Sequence, residues 1–122
     1  MGTRSTVKFY DEQQKDEPIL SVYQQFDGYI DGVGYDLVNF LKNKTVINGF
    51  SNETMEGGFA NGIGCLAAQY VVENKIRIGG FYLTNKDDSQ EYNYKVRFKD
   101  GKFSIKVGNF EGTPDELLNY KE

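Results

Sequence analysis

The chain has 122 residues, 39% of them apolar and 26% charged, which fits one folded domain burying about two thirds of its unfolded surface. A net charge of -4 with no dense run of Lys or Arg argues against a duplex nucleic-acid binder, which needs a basic stripe to displace counterions. The single cysteine excludes an internal disulfide and a zinc spacing, and the absence of histidine removes the usual base, the usual metal ligand and every Ser-His or Cys-His pair.

Taken in order, residues 6–10 and 19–26 read as strands of alternating apolar and polar character, joined by a polar hairpin connection at 11–17 that Pro18 closes. A glycine-rich loop follows, Asp27-Gly28-Tyr29-Ile30-Asp31-Gly32-Val33-Gly34, running into Val33, Leu37, Phe40 and Leu41 at helical spacing. This helix is expected to end near Asn43-Lys44, ahead of Val46-Ile47-Asn48-Gly49-Phe50. The pattern then recurs as Gly57-Gly58-Phe59-Ala60-Asn61-Gly62-Ile63-Gly64, with a stripe at Ile63, Leu66, Ala67, Tyr70 and Val71 that ends near Asn74-Lys75. Gly28 aligns with Gly58, and the tails ending at Phe50 and Phe81 align as well, which reads as an internal repeat of 27–50 in 57–81.

The remainder reads as β. Residues 81–84 form a strand, 85–90 a polar loop, and Tyr92, Tyr94, Val96 and Phe98 alternate with polar neighbours. Asp100-Gly101 is a two-residue hairpin turn leading to Phe103, Ile105 and Val107. Thr113-Pro114-Asp115-Glu116 is a capping box that opens a short helix reaching about Tyr120. The fold class is α+β: an antiparallel sheet of about five strands, two central helices on one face and a short C-terminal helix, ββααβββα over one domain, 1–122.

Asp31 and Asn61 occupy N-cap positions, each just before a glycine and a helix. Glycine in a first helical turn costs up to about 1 kcal/mol against alanine, and Gly32, Gly34, Gly62 and Gly64 incur that twice per copy. Two explanations stay open. The helix starts pack too closely for a side chain, or their bare N–H groups meet an anionic ligand at the positive helix end. Asp27, Asp31 and Asp36 would repel an anion at the first loop, so the second is the better anion site. Arg4, Arg77 and Arg97 are the side chains able to fork onto a phosphate or carboxylate, and Gln24 and Gln25 offer amides just before the first loop. The candidate ligand-binding set is Arg4, Gln25, Asp27, Gly28, Tyr29, Asp31, Gly32, Gly34, Asn61, Gly62 and Gly64. No catalytic residue, metal ligand or cofactor is assigned. Asp27, Asp31 and Asp36 lack calcium-loop spacing, and Cys65, without a histidine beside it, reads as a buried small residue among Leu66, Ala67 and Ala68. The start Met1-Gly2-Thr3-Arg4-Ser5-Thr6 matches a loose myristoylation pattern without polybasic support.

At Met1-Gly2-Thr3-Arg4-Ser5, Tyr23-Gln24-Gln25-Phe26-Asp27-Gly28-Tyr29, residues 61–69, Gly79-Gly80-Phe81-Tyr82 and Glu111-Gly112-Thr113-Pro114, the chain resembles an uncharacterised family of small bacterial and phage proteins. It departs from that family at Ile30, where members have proline, and in lacking a histidine in the second helix. The resemblance implies no activity. It implies a protein of phage or bacterial type. With no apolar run of membrane-span length and no signal-peptide h-region, the chain is expected to act in the cytoplasm, the host's if a phage encodes it.

The expected function is non-catalytic binding of a small polar, nucleotide-like ligand at the paired glycine loops, such as sequestration of a host signalling nucleotide. The alternatives are a protein-interaction module whose glycines serve packing, and a small hydrolase with Asp27 or Asp31 as base. No membrane partner is expected, and the sequence leaves room for a homo-oligomer.

Overall fold

A computed structural model describes residues 2–49 and 58–121. Its first strand, β1 (Ser5–Tyr10), is buried along its whole length, and β2 (Leu20–Gln24) folds back on it antiparallel with Val7 opposite Val22. A π-helical turn, Ile30–Gly34, runs directly into α1 (Tyr35–Lys42). Next come the short strand β3 (Thr45–Ile47), then β4 (Phe59–Asn61) and the longer helix α2 (Gly62–Asn74). The chain continues through β5 (Phe81–Leu83), β6 (Tyr92–Lys99), β7 (Lys102–Val107), β8 (Phe110–Gly112) and α3 (Pro114–Leu118).

The class is α+β, as the sequence implies, but the sheet is neither five-stranded nor wholly antiparallel, and the order is not ββααβββα, since β3 and β4 stand between α1 and α2 and β8 precedes α3. Six strands run in the order β5-β2-β1-β6-β7-β8, and a separate pair joins β3 to β4. Two of the pairings are parallel, β1 with β6 and β3 with β4. The first of these has a local cause. β2 occupies one edge of β1 as its hairpin partner, so β6 takes the other edge. Residues 84–91 carry the chain back across the sheet, and β6 starts level with the start of β1, Ser5 opposite Tyr92. That crossing segment is tied down where Lys8 donates its ammonium to the Lys86 carbonyl at 2.8 Å and the Thr84 N–H donates to Ser21 at 2.9 Å.

The other sheet face carries the core. Val7, Phe9, Val22, Tyr94, Val96, Ile105 and Val107 meet Leu37, Leu41, Leu66, Tyr70 and Leu117 from the three helices in one buried cluster. The expected stripes face the core: Val33 from the π-turn with Leu37, Phe40 and Leu41 of α1, then Ile63, Leu66, Ala67 and Tyr70 of α2 are buried, while Val71 is half-buried. Tyr70 is the hub, with its ring 5.3 Å from Phe9, 5.1 Å from Phe40 and 5.9 Å from Phe81.

Local signals are realised closely. Asp100 and Gly101 both take positive φ, 54° and 77°, as a tight hairpin of this kind requires. Thr113 forms both halves of its capping box with Glu116, although α3 stops at Leu118, short of Tyr120. Cys65 is a correction. It is exposed, as is Ala68, because both lie off the arc defined by Ile63, Leu66, Ala67 and Tyr70. Among the described residues, no helix is long and apolar enough to cross a membrane.

Candidate functional site

The two glycine loops share letters but not backbone. In the first, Asp27 sits in the left-handed region at φ 57° and its carbonyl accepts the Val33 N–H at 2.8 Å, which pulls the π-turn into place. Gly28 lies against β1, where a Cβ would come within 2.9 Å of the Ser5 Cβ and of the Thr3 carbonyl oxygen. Its own carbonyl accepts a buried hydrogen bond from the Tyr94 hydroxyl at 2.7 Å. A Cβ on Gly32 would collide with the Asp27 carbonyl, and one on Gly34 would stand 3.2 Å from the Tyr94 ring and hydroxyl. Close packing therefore accounts for the glycines of this copy. Asp31 is not an N-cap: it lies exposed inside the π-turn, whose cap position is Tyr29, with no side-chain capping bond.

In the second copy, Phe59–Asn61 is a strand and Gly62 opens α2 at φ 85° with nothing within 4 Å of its Cβ position, as is also true of Gly64. Asn61 is at the cap position but does not cap. Its side-chain oxygen accepts the Gly49 N–H at 2.7 Å instead. The tails differ too: β3 is a strand, while residues 76–80 are irregular. Phe50 and Gly57, the ends of the aligned segments, lie outside the described residues.

The loops also lie at opposite ends of α2. Asp27 lines a cleft together with Asn74, the last residue of that helix, whereas Gly62 begins it. Thirteen helical residues put about 18 Å between those ends. The two helix starts therefore do not frame one site, and Asn61, Gly62 and Gly64 stand apart from the rest of the candidate set.

What the structure does assemble around the first loop is a cleft of about 430 Å³ lined by Gln24, Phe26, Asp27, Asn74, Ile76, Arg77, Gly79, Gly80 and Phe81. Phe26 is its most conspicuous wall, a ring 51% exposed although it packs on Gly80 and on Gly2. The Gln25 N–H donates to the Gly80 carbonyl at 3.0 Å, which locks the loop strand against the far lip. Behind it, Gln24 donates its amide to the Tyr70 hydroxyl at 2.7 Å. Burial pushes the Tyr70 phenol far above its ordinary value, the Gln24 bond opposing and Asp36 adding to the effect, so this hydroxyl stays protonated.

Of the eleven candidate residues, only Asp27 lines this cleft, with Gln25 and Gly28 beside it in the chain. Arg4 is exposed, and its backbone underlies Gly28 and accepts the Tyr92 N–H at 3.4 Å. Tyr29 is 44% exposed and meets Tyr92 edge-on at 6.4 Å on the other side of the loop. There a second cleft of about 460 Å³ lies between Ile30, Tyr92 and Tyr120. Phe26, Arg77 and the Gly79-Gly80 pair are what sequence reasoning passed over as a group. Arg77 is named from the sequence as able to grip a phosphate, but nothing local ties it to Phe26; the signal is an arginine two residues before a double glycine. No family profile, curated protein or solved structure matches the chain.

Proposed function

We propose that the protein binds a small polar, nucleotide-like ligand without transforming it, in the cleft beside the first glycine loop. The observation that carries this reading is the lining itself. An exposed aromatic ring (Phe26), a guanidinium (Arg77), a carboxylate (Asp27), an amide (Gln24) and two side-chain-free residues (Gly79, Gly80) border one hollow of about 430 Å³. That volume is in the range of small-molecule sites. A base stacks on Phe26, a phosphate takes the two-pronged hydrogen bond of Arg77, and Asp27 accepts from hydroxyl or amino groups. Binding without turnover is the reading because the chain has no histidine and the hydroxyl behind the cleft, that of Tyr70, is held protonated in the core. A protein of this kind, of phage type, would act by sequestering a host signalling nucleotide.

Thermal-shift and calorimetric titration with a panel of mono-, di- and cyclic nucleotides tests it. Stabilisation by at least one nucleotide is expected, and Arg77→Ala and Phe26→Ala should each abolish it. No shift with any nucleotide at millimolar concentration would sink the reading. Asp27→Asn is expected to weaken binding and to leave no hydrolytic activity to lose.

A second reading, a protein-interaction module, draws on one specific feature. Ile76, Ile78 and Leu83 are 77%, 102% and 68% exposed beside the β5 edge of the sheet. Ile78→Lys with Leu83→Lys would then release a copurifying partner or dissociate an oligomer, while nucleotide binding is unaffected.

A further inference from the structure

The sheet face turned away from the core carries a charge pattern that the chain's acidity conceals. The register puts Lys8, Lys95 and Lys106 in one row across β1, β6 and β7, then Tyr10, Arg97 and Ser104, then Lys99 opposite Lys102. Six of the fourteen Lys and Arg residues therefore share this three-strand face. Lys99, Lys102 and Lys106 are exposed, Lys95 and Arg97 half-buried, and Lys8 is buried beneath the crossing segment.

Like charges directly opposite on neighbouring strands repel, and three such pairs occur here: Lys8 with Lys95, Lys95 with Lys106, and Lys99 with Lys102. Neutralising contacts within the protein are few. The salt bridges among the described residues use Lys42, Lys44 and Lys86 and none of these six cations. Arg97 is oriented rather than neutralised: its guanidinium lies 4.0 Å from the Tyr10 ring centroid and donates to the Lys15 carbonyl at 3.0 Å. At the β1 end Asp88 and Asp87 of the crossing segment lie close enough to act on Lys8, and the other acids stand at the margins. Glu111 is next to Lys106 on β8, and Asp11, Glu12 and Asp16 share a hollow with Arg97 and Lys99 at the hairpin end.

We propose that this face of the β6–β7 hairpin binds the phosphate backbone of a single-stranded nucleic acid. Its dimensions suit one strand. Lys95, Arg97 and Lys99 span about 14 Å along β6 at two-residue intervals, and the partner row on β7 lies about 5 Å away. That is room for a single line of phosphates, and this sheet face offers no helix or projecting ribbon to enter a duplex groove. An acidic protein is the weaker fit. Protein interfaces gather apolar and aromatic anchors at their centre, and the large exposed apolar side chains among the described residues, from Ile19 to Leu83, include none on β6, β7 or β8. Lysines flanking one arginine, with no apolar anchor, are the equipment for phosphates.

Fluorescence anisotropy with a labelled oligouridine of about fifteen nucleotides at low salt is the test. Binding is expected, with affinity falling as salt rises at a log–log slope of about -2 to -3, from three to four phosphate contacts at about -0.7 each. Lys95→Glu is the informative variant, because it converts two repelling cross-strand pairs into attracting ones and so favours folding. It should weaken oligonucleotide binding tenfold or more and reduce the slope, with thermal stability unchanged or raised. Arg77→Ala, which removes a group of the small-ligand cleft, should leave this binding intact. Three results would overturn the proposal: no binding at low salt, binding by Lys95→Glu within twofold of the parent, or displacement by polyglutamate or anionic vesicles at equal charge as effective as by unlabelled oligouridine.

Discussion

Alanine at Gly34 and at Gly64 separates packing from every other reason for the repeated glycines. The two residues hold aligned positions of the loops: Gly34 closes the π-turn that runs into α1, and Gly64 lies in the first turn of α2. In isolation each substitution gains about 1 kcal/mol of helix propensity. At Gly64 nothing lies within 4 Å of the new methyl, so that gain is expected in full and the variant is more stable by about 1 kcal/mol. At Gly34 the backbone is already helical, φ -58° and ψ -48°, so strain is not at issue. The methyl would instead stand 3.2 Å from both the ring edge and the hydroxyl of Tyr94. Tyr94 has little freedom to yield, being fully buried with its hydroxyl bonded to Gly28 at 2.7 Å. Overpacking of this kind costs about 1–3 kcal/mol, so the net effect at Gly34 runs from zero to a loss of about 2 kcal/mol, and the two variants should differ by about 1–3 kcal/mol. Urea unfolding of both variants, with unchanged m-values, reads this difference directly. Equal stabilisation of the two would refute the packing account of the first loop.

The remaining predictions bear on single contacts. Gly62→Ala should lose about 1–2 kcal/mol, because φ is 85° where open space cannot help, and Gly62→Asn should lose less, by chemical denaturation. Thr113→Ala removes the oxygen that accepts the Glu116 N–H at 3.2 Å and should cost about 1 kcal/mol in the same measurement. Tyr70 gives a pH dependence. Its folded value is raised above the ordinary 10.0, so the unfolded chain releases this proton first and stability falls as pH rises from about 10 upward. Tyr70→Phe should flatten that alkaline limb, and it should cost about 1–3 kcal/mol at neutral pH, since Gln24 loses its partner.

How far the sequence could be read depends on how local the causes are. The Asp100-Gly101 turn, the Thr113 capping box and the ends of α1 and α2 were legible because each is decided within a few residues. Strands β3, β4 and β8 are three residues long, too short to show a period, and exist through pairing alone. The same reason hid the parallel contact of β1 with β6, two segments about 87 positions apart that carry no mark of each other. The caps failed for a related cause: Asn61 looks like a cap locally, but its oxygen is taken by Gly49, twelve residues back. Identical letters thus serve different ends, with Gly32 making room for the Asp27 carbonyl and its aligned partner Gly62 supplying a positive φ.

The clefts and the basic face were hidden in different ways. Phe26 and Arg77 are 51 positions apart and meet only because β2 pairs with β5, which brings residue 80 to residue 25. The cations of the β6–β7 hairpin, by contrast, are close in sequence but interleaved with Val96, Phe98, Phe103 and Ile105, so no stretch of the chain looks basic. A period of two sends those apolar residues to the core and Lys95, Arg97, Lys99, Lys102 and Lys106 to the opposite face. Net charge averages over that separation. An acidic total therefore argues against a basic surface only where the cations do not alternate along paired strands, and here they do.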